Sequence, residues 1–351
     1  MIAMRAAASA PPRVLIYGAG HIGTLATKLA VARGWRIAGA INRPGEKIGQ
    51  DIGTLAGLSA PLSVTIAPPE AVDLRSLNAG VALVAVGDRL AHMLPIYRHI
   101  MEHGLSVISC DCEAAYPWGV DAMLAGEIDR IAKANGVTFT GTGLSDAYRV
   151  WVPRVLVGAC DRLERFHHTS VVDVGKHGAQ SCRIAHVGLD EQALRDMAAA
   201  GGAREVSIYR LILQHTVVSI GLTIHAMRET LEPVIATAAT RCAPLGIVVP
   251  PGGCIGARFI TEIDTKEGVR ATAANELRLL APGEAERMIF VVEGSSPLKI
   301  EVTGFDSDVA TATQMIARVP DVLAAPPGIV TIDTLGPPAP CGQAAPLTPG
   351  D

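Results

Sequence analysis

Two stretches of this 351-residue sequence place residue types at spacings that do chemistry. The first is Val14 to Gly23, V-L-I-Y-G-A-G-H-I-G. Its apolar run Val14-Leu15-Ile16-Tyr17 reads as a buried parallel strand. The run breaks into Gly18-x-Gly20-x-x-Gly23, and a helical segment follows to about Arg33. Gly18 allows a tight turn, Gly20 lets backbone approach a pyrophosphate, and Gly23 lets helix and strand pack closely. At the helix start, His21 and Ile22 offer unpaired N–H groups and a positive dipole end to phosphates. The spacing predicts a dinucleotide cradle of Gly18, Gly20, His21, Ile22 and Gly23. The second stretch is Cys112 to Trp118, C-E-A-A-Y-P-W, after the strand-like Val107-Ile108-Ser109. Its carboxylate, Glu113, has aromatic neighbours in Tyr116 and Trp118, with Tyr148 and Trp151 further along. Desolvation there pushes a carboxyl pKa toward working pH, where one group serves as both acid and base. The other reading is a helix cap, a frequent role for acids after a strand.

Elements to position these residues follow from periodicity. Trp35 to Ile41 reads as the second strand, and its end decides the cofactor. An acidic residue there takes the ribose 2′-hydroxyl of NAD; this chain has Asn42-Arg43, with Lys47 close by. Arg43 suits a 2′-phosphate, so NADP is expected over NAD, with NAD still possible. Ser63–Ile66, Val81–Val86, Leu105–Ser109 and Val137–Thr140 read as further strands, with helices over 90–103 and 120–135. Such alternation predicts a doubly wound parallel sheet, with ligands beyond the strands' carboxyl ends. Gly87, Cys112 and Gly143 lie there and are expected to flank the cofactor.

The second half reads differently. Arg162–Asp173 is a candidate strand, Arg204 to about Glu232 a long helix, and Val234–Ala238, Cys254–Ile263, Val269–Leu279 and Met288–Gly294 antiparallel strands. A helix over 307–319 and a short strand at 329–331 complete the pattern. The expected class is α/β: an N-terminal Rossmann sheet over 1–145 and a C-terminal α+β domain with a mainly antiparallel sheet over 146–306. Residues 307–335 are expected to return to the first domain, with 336–351, rich in Pro, Ala and Gly, as a disordered tail.

At 49% hydrophobic, the chain can bury two cores. A net charge of −4 gives no footprint for nucleic acid or an anionic membrane, and no window of some twenty apolar residues predicts a membrane span. The N-terminus lacks a long apolar core and reads as a frayed leader. Seven scattered cysteines do not form a disulfide framework, which fits a reduced cytoplasm. Cys110 and Cys112 have no second Cys/His pair nearby, so no metal site is expected. As thioester-forming nucleophiles they would need a positioned base, and a buried inert thiol is the simpler reading.

Several blocks carry a resemblance. Gly18-Ala19-Gly20-His21-Ile22-Gly23, Cys112-Glu113-Ala114-Ala115-Tyr116-Pro117-Trp118, Gly141-Thr142-Gly143, Ile128 to Thr138 and the late Ala325-Pro326-Pro327-Gly328-x-Val330-Thr331 are similar to the dihydrodipicolinate-reductase-like superfamily. More narrowly, they resemble its 2,4-diaminopentanoate dehydrogenase and native amine dehydrogenase branch, across roughly 13 to 335. The resemblance implies an NAD(P)-dependent homodimer that interconverts amines with ketones or aldehydes plus ammonia, with Glu113 as the catalytic group. There are departures. Leu144-Ser145-Asp146-Ala147 replaces the family's Asn-Pro-Gly loop. His167-His168 is similar to the reductase's paired histidines, but Val171 stands where its lysine would be and the Ser-Gly-Thr run is absent. Without that clamp, dihydrodipicolinate does not fit as the expected substrate.

Reductive amination suits Glu113. One carboxylate deprotonates ammonium, protonates the departing carbinolamine hydroxyl, and stabilises the iminium. Tyr116, Tyr148, Trp151, His168 and Tyr209 are expected to line a small apolar pocket, in a chain only 4% aromatic. Only one of His167 and His168 can face it, because a strand alternates. An arginine clamp, Arg149 or Arg210, would mark an aspartate-type or other amino-acid dehydrogenase, and 2,4-diaminopentanoate remains the diamine alternative. A catalytically inactive nucleotide sensor is the reading from another class, and Glu113 in its aromatic block argues against it.

Overall fold

Fifteen strands follow one another along the described part of the chain, and they sort into an early seven-stranded parallel sheet, a later six-stranded mixed sheet and a two-stranded ribbon. The structure is a computed structural model, and it describes residues 11–87, 89–199 and 208–339. In chain order the first elements are β1 (Arg13–Tyr17), α1 (His21–Ala32), β2 (Arg36–Ile41), α2 (Ile52–Leu55), β3 (Ile66–Ala67), β4 (Val81–Val84), α3 (Leu90–Glu102), β5 (Ser106–Ser109), α4 (Pro117–Val120), α5 (Ala122–Ala134) and β6 (Thr138–Gly141). A π-turn over Asp146–Trp151 leads into α6 (Val152–Gly158) and β7 (Leu163–Asp173). Then come α7 (Gly178–Ile184), α8 (Glu191–Ala199), α9 (Ile208–Ser219), β8 (Ile224–Ile235), β9 (Thr240–Cys242) and β10 (Ile247–Val249). The long strands β11 (Cys254–Thr265), β12 (Arg270–Arg278), β13 (Arg287–Gly294) and β14 (Leu298–Thr303) precede α10 (Ser307–Ala317), α11 (Val319–Ala324) and β15 (Gly328–Ile329).

Two compact units result, 1–148 with 306–351 and 149–305. In the first, the order β15-β6-β5-β4-β1-β2-β3 is parallel throughout. Such a sheet needs apolar strands on both faces, and Val14–Tyr17, Val81–Val84 and Ser106–Ser109 are buried at every position. The strand order reverses at β1, where β2 leaves to one side and β4 to the other. That reversal opens a crevice at the carboxyl ends. The helix α10 packs beside α1, and a guanidinium anchors it: fully buried Arg318 donates to both oxygens of fully buried Asp146, at 2.6 and 2.5 Å. Thr142 Oγ1 adds a third donor at 2.8 Å.

The second unit is a six-stranded sheet, β14-β13-β7-β12-β11-β8, antiparallel except for the parallel pair β7–β12. Helices α8 and α9 pack on it, with Tyr209, Phe259 and Leu277 in the core beneath. The fold class expected from the sequence is the one observed.

Three expectations need correction. The helix expected over 204–232 covers only Ile208–Ser219 of the described residues; Gly221, at φ +84°, ends it, and Ile224–Ile235 is a strand. The apolar spacing through Met227 mimicked a helix, but cross-strand pairing with β11 from Ile224 to Ile235 decides the outcome. His225 therefore sits on a strand. Of the short third strand expected at Ser63–Ile66, only Ile66 is in β3, because Ser63 takes a positive φ of 56°. Third, Val234–Ala238 is no separate strand: β8 continues through it to Ile235. The expected tail disorder falls mostly on residues 340–351, outside the described residues.

A buried pair of this kind is costly to halve. Asp146→Asn or Arg318→Met alone is expected to lower unfolding free energy by roughly 3–5 kcal/mol, because each strands a buried charge or donor set. The combined Asp146→Leu, Arg318→Met chain is expected to fall nearer the original than either single change. Urea unfolding of the four proteins checks this, and additive losses would contradict it.

Candidate active site

The glycine turn is shaped by close approaches. Gly18 takes φ +101° and donates its N–H to Ile41 O at 2.8 Å; a Cβ there would lie 2.7 Å from Ala85 O. At Gly23 a Cβ would lie 1.9 Å from Gly18 O, so any side chain would force helix and turn apart. Gly20 has nothing within 4 Å of its Cβ position, and it begins α1 without a side-chain cap. The turn is thus closed toward the protein and open above the N-terminus, the shape a pyrophosphate needs. Asn42 Oδ1 accepts from Ala19 N–H at 3.1 Å, and Lys47 Nζ donates to Ala19 O at 2.9 Å. Lys47 therefore braces the turn. Arg43 is exposed; its carbonyl accepts from Asn42 Nδ2 at 3.1 Å, and its guanidinium makes no ion pair among the described residues. His21, at the first position of α1, lies 3.4 Å from Asp308 through Nε2.

Neighbouring strand tips run alongside. Ala85 N–H bonds Tyr17 O, and Cys110 N–H bonds Val84 O, so the tips of β1, β4 and β5 stand in sequence. Gly87 is exposed at the second of them. Gly143, at φ +141°, faces Thr311, whose Oγ1 also accepts from Leu144 N–H at 3.3 Å. Gly141 closes on the 3-10 turn Glu113–Ala115: a Cβ there would meet the Ala114 carbonyl at 2.1–2.2 Å.

Glu113 is half-buried on that turn, and its Oε2 accepts from Leu90 N–H at 2.6 Å. Leu90 is the first residue of α3, whose preceding residue, Arg89, gives no side-chain cap. The cap reading from sequence is therefore realised, on a neighbouring helix rather than on Glu113's own. Oε1 makes no hydrogen bond within the described chain. One oxygen is anchored at a positive helix end while the other is available. Tyr116 is half-buried beside it, its hydroxyl pKa raised by burial and then by Asp333. Trp118 is 43% exposed, so the aromatic shielding expected from it is absent. Cys112 is exposed, and burial pushes the Cys110 thiol up to about 12, which keeps it an inert thiol.

One residue of this loop escaped the sequence reading. Asp111 is buried, and its Oδ2 has no hydrogen-bond partner. Burial first, and the charge of Glu113 second, push its carboxyl up to about 7, against the pull of backbone N–H groups of Glu113, Ala114 and Cys112. The available signal was a second acid two residues before Glu113 at a strand tip.

Within the second unit, His168, Tyr209 and Arg149 meet in one cavity of about 10 Å³, with Phe166, Asn275 and Phe290. That is barely room for one water. His168 stacks on Phe290 at 4.6 Å, and burial, then Arg149, hold its pKa down to about 3. Arg149 lies 5.5 Å above the Tyr209 ring. His167 projects from the opposite sheet face, bonding Thr272 Oγ1 at 2.6 Å. Trp151 is covered by the Arg154 guanidinium at 4.7 Å and is not in this cavity. Tyr148 closes the first unit, within the π-turn. Among the described residues, no cluster of three or more His, Cys, Asp or Glu could hold a metal, and no helix is long and apolar enough to cross a membrane.

No family model matches the chain. A curated relative, 2,4-diaminopentanoate dehydrogenase of Acetoanaerobium sticklandii, is 30% identical over 153 residues, so the match spans 42% of that protein and 42% of this chain. The solved amine dehydrogenase of Mycobacterium smegmatis is 32% identical and superposes with a TM-score of 0.83, covering 93% of this chain and 96% of that one. A probable dehydrogenase from Thermotoga maritima, 11% identical with a TM-score of 0.56 over 92% of each chain, shares the fold alone.

The contact under Gly141 gives a direct test of how the Glu113 turn is held. Gly141→Ala is expected to cost about 1–3 kcal/mol and to shift residues 113–115, since the opposing atoms are backbone. Thermal unfolding and amide chemical shifts of 113–115 report it. Unchanged shifts in a stable variant would contradict the packing.

Proposed function

The chain belongs to the amine dehydrogenase branch of the dihydrodipicolinate-reductase-like dehydrogenases, and from that membership we propose that it interconverts small aliphatic or cyclic aldehydes and ketones, plus ammonia, with the corresponding amines. The observation that carries this reading is the position of Glu113 in a chain similar end to end to an amine dehydrogenase. Its Oε2 is fixed at the α3 N-terminus, while Oε1 is left to exchange a proton.

A nicotinamide dinucleotide, when bound, supplies the hydride acceptor for amine oxidation and the donor for the reverse. Gly18, Gly20 and Gly23 would hold it, with the first-turn N–H groups of His21 and Ile22 on the phosphates and Asn42 and Arg43 toward the ribose. We assign Gly87, Cys112 and Gly143 to its flanks. The exposed guanidinium of Arg43, and the lack of an acid at the end of β2, favour NADP over NAD.

Glu113 performs the proton chemistry. Its Oε1 takes a proton from ammonium so that the free amine can add to the carbonyl. The same oxygen returns the proton to the carbinolamine hydroxyl, which departs as water. The resulting carboxylate then stabilises the cationic iminium. Running backwards, it activates water for hydrolysis. The Leu90 N–H holds the carboxylate plane during each transfer.

We place Tyr116 and Tyr148 on the substrate side, whereas Trp151, His168 and Tyr209 lie in the second unit, the last two in a cavity too small for a substrate; we expect a homodimer. A diamine such as 2,4-diaminopentanoate is the second reading, favoured by the curated relative. Of the two arginines expected as an aspartate clamp, Arg149 and Arg210, Arg149 lies over the Tyr209 ring in a cavity too small for a substrate.

Glu113→Gln is expected to lower amine oxidation by about 10²–10⁴-fold while dinucleotide binding persists. Nicotinamide absorbance with a panel of amines reads the first, and fluorescence titration the second; full turnover would end the assignment. Arg43→Ala is expected to weaken NADPH by roughly 1.5–3 kcal/mol and leave NADH nearly unchanged. Equal loss for both would refute the 2′-phosphate role.

A further inference from the structure

Two buried thiols in the second unit play no part in the chemistry at Glu113. Cys182 is on α7 and Cys242 ends β9; both are 0% exposed, and their Sγ atoms are 3.6 Å apart. They are separated by 60 positions in sequence, and only the fold brings them together. The thiols form a short chain, in which Cys242 donates to Cys182 Sγ and Cys182 donates to the Val174 carbonyl at 3.3 Å. Val174, Ala185, Val187 and Val249 make the surrounding core apolar. Among the described residues, no third His, Cys, Asp or Glu joins the pair to hold a metal.

Two sulfurs so placed are close to bonding. A disulfide would bring them about 1.5 Å nearer, a movement within the reach of side-chain rotation. We propose that Cys182 and Cys242 are a redox-modification site, at which hydrogen peroxide converts the two thiols into a disulfide that staples α7 to the β9–β10 ribbon. The sulfur reached first attacks the O–O bond, which breaks to leave a sulfenic acid and one water. The second thiol attacks that sulfur, the S–S bond forms, and the hydroxyl leaves as a second water. The thiols together lose two hydrogens and two electrons, and the peroxide takes both.

The elements that cover the pair are light. The helix α7 has seven residues and starts without a side-chain cap, and β9 and β10 pair over three residues. Local opening of either exposes the sulfurs to an oxidant as small as hydrogen peroxide. In the closed state, burial first and then the Cys242 thiol push the Cys182 thiol up to about 11, so it keeps its proton and is inert. The site therefore answers to sustained oxidation rather than to brief exposure. Once formed, the bridge closes a loop through α8, α9 and β8, which restricts the unfolded chain.

The test uses the full chain, reduced and then held in hydrogen peroxide for increasing times. Remaining thiols are alkylated, and the protein is digested with trypsin without reductant. Cleavage after Lys176, Arg183, Arg241 and Arg258 puts Cys182 on peptide 177–183 and Cys242 with Cys254 on peptide 242–258. The wild type should yield these two peptides joined, lighter than their sum by two hydrogens and parted by dithiothreitol. The joined form should persist in Cys254→Ala and vanish in Cys182→Ala and Cys242→Ala. The melting temperature of the oxidised wild type should rise by roughly 5–10 °C and fall back on reduction. Both cysteines still alkylated after exposed Cys112 is fully oxidised would overturn the pair, as would Cys182 joined to Cys254. A joined form with an unchanged melting temperature would overturn the staple. Fragment sequencing of the wild-type peptide 242–258 assigns the bridged cysteine even if a variant does not fold.

Discussion

The loop after β6 and the helices α10 and α11 are held together by a buried cation. Arg318 is fully buried, with two donors on Asp146, one on Asp321 and one on the Gly336 carbonyl. Burying a guanidinium is tolerable only when its donors are met in good geometry. Asp146 in turn also accepts from Thr142, so a single ionic knot ties the loop after β6 to α10 and α11. That knot brings Thr311 under Gly143 and Asp308 beside His21. It also accounts for the acid in the Leu144-Ser145-Asp146-Ala147 loop. Asp146 occupies that loop as a structural ligand for arginine, and the π-turn begins there.

With the loops held, the sheet sorts its acids by environment. Asp111 and Glu113 are separated by one residue, yet one is buried with an unpartnered oxygen and the other is half-buried on a helix N-terminus. The Gly141 approach sets that contrast mechanically, because it presses the Glu113–Ala115 turn against β6.

What the sequence made legible was local. The strand-turn-helix around Gly18 follows from three glycines and a four-residue apolar run, and the structure gives each glycine a stated contact or opening. Most of the parallel strands, lying in unbroken apolar runs, were equally readable. The stretch 224–232 was not, since Met227 and Leu222 satisfy a helical period while the residues pair as a strand only when β11 arrives from thirty positions later. Asp111 escaped for a related reason. Its N–H bonds the Ser109 hydroxyl that also meets Tyr97 of α3, and nothing local to Cys110–Glu113 reveals that α3 reaches there.

The remaining titratable candidates fall away on physical grounds. His168 is neutral over the whole working range, because burial and Arg149 hold its pKa near 3. A group that cannot be protonated at neutral pH cannot act as an acid there. The Cys110 thiol, at about 12, is equally unable to form a thiolate. His167 is committed to Thr272 and Glu293 on the other sheet face. At the tip of β5, by contrast, Glu113 has Oε2 anchored on the Leu90 N–H and its other oxygen open.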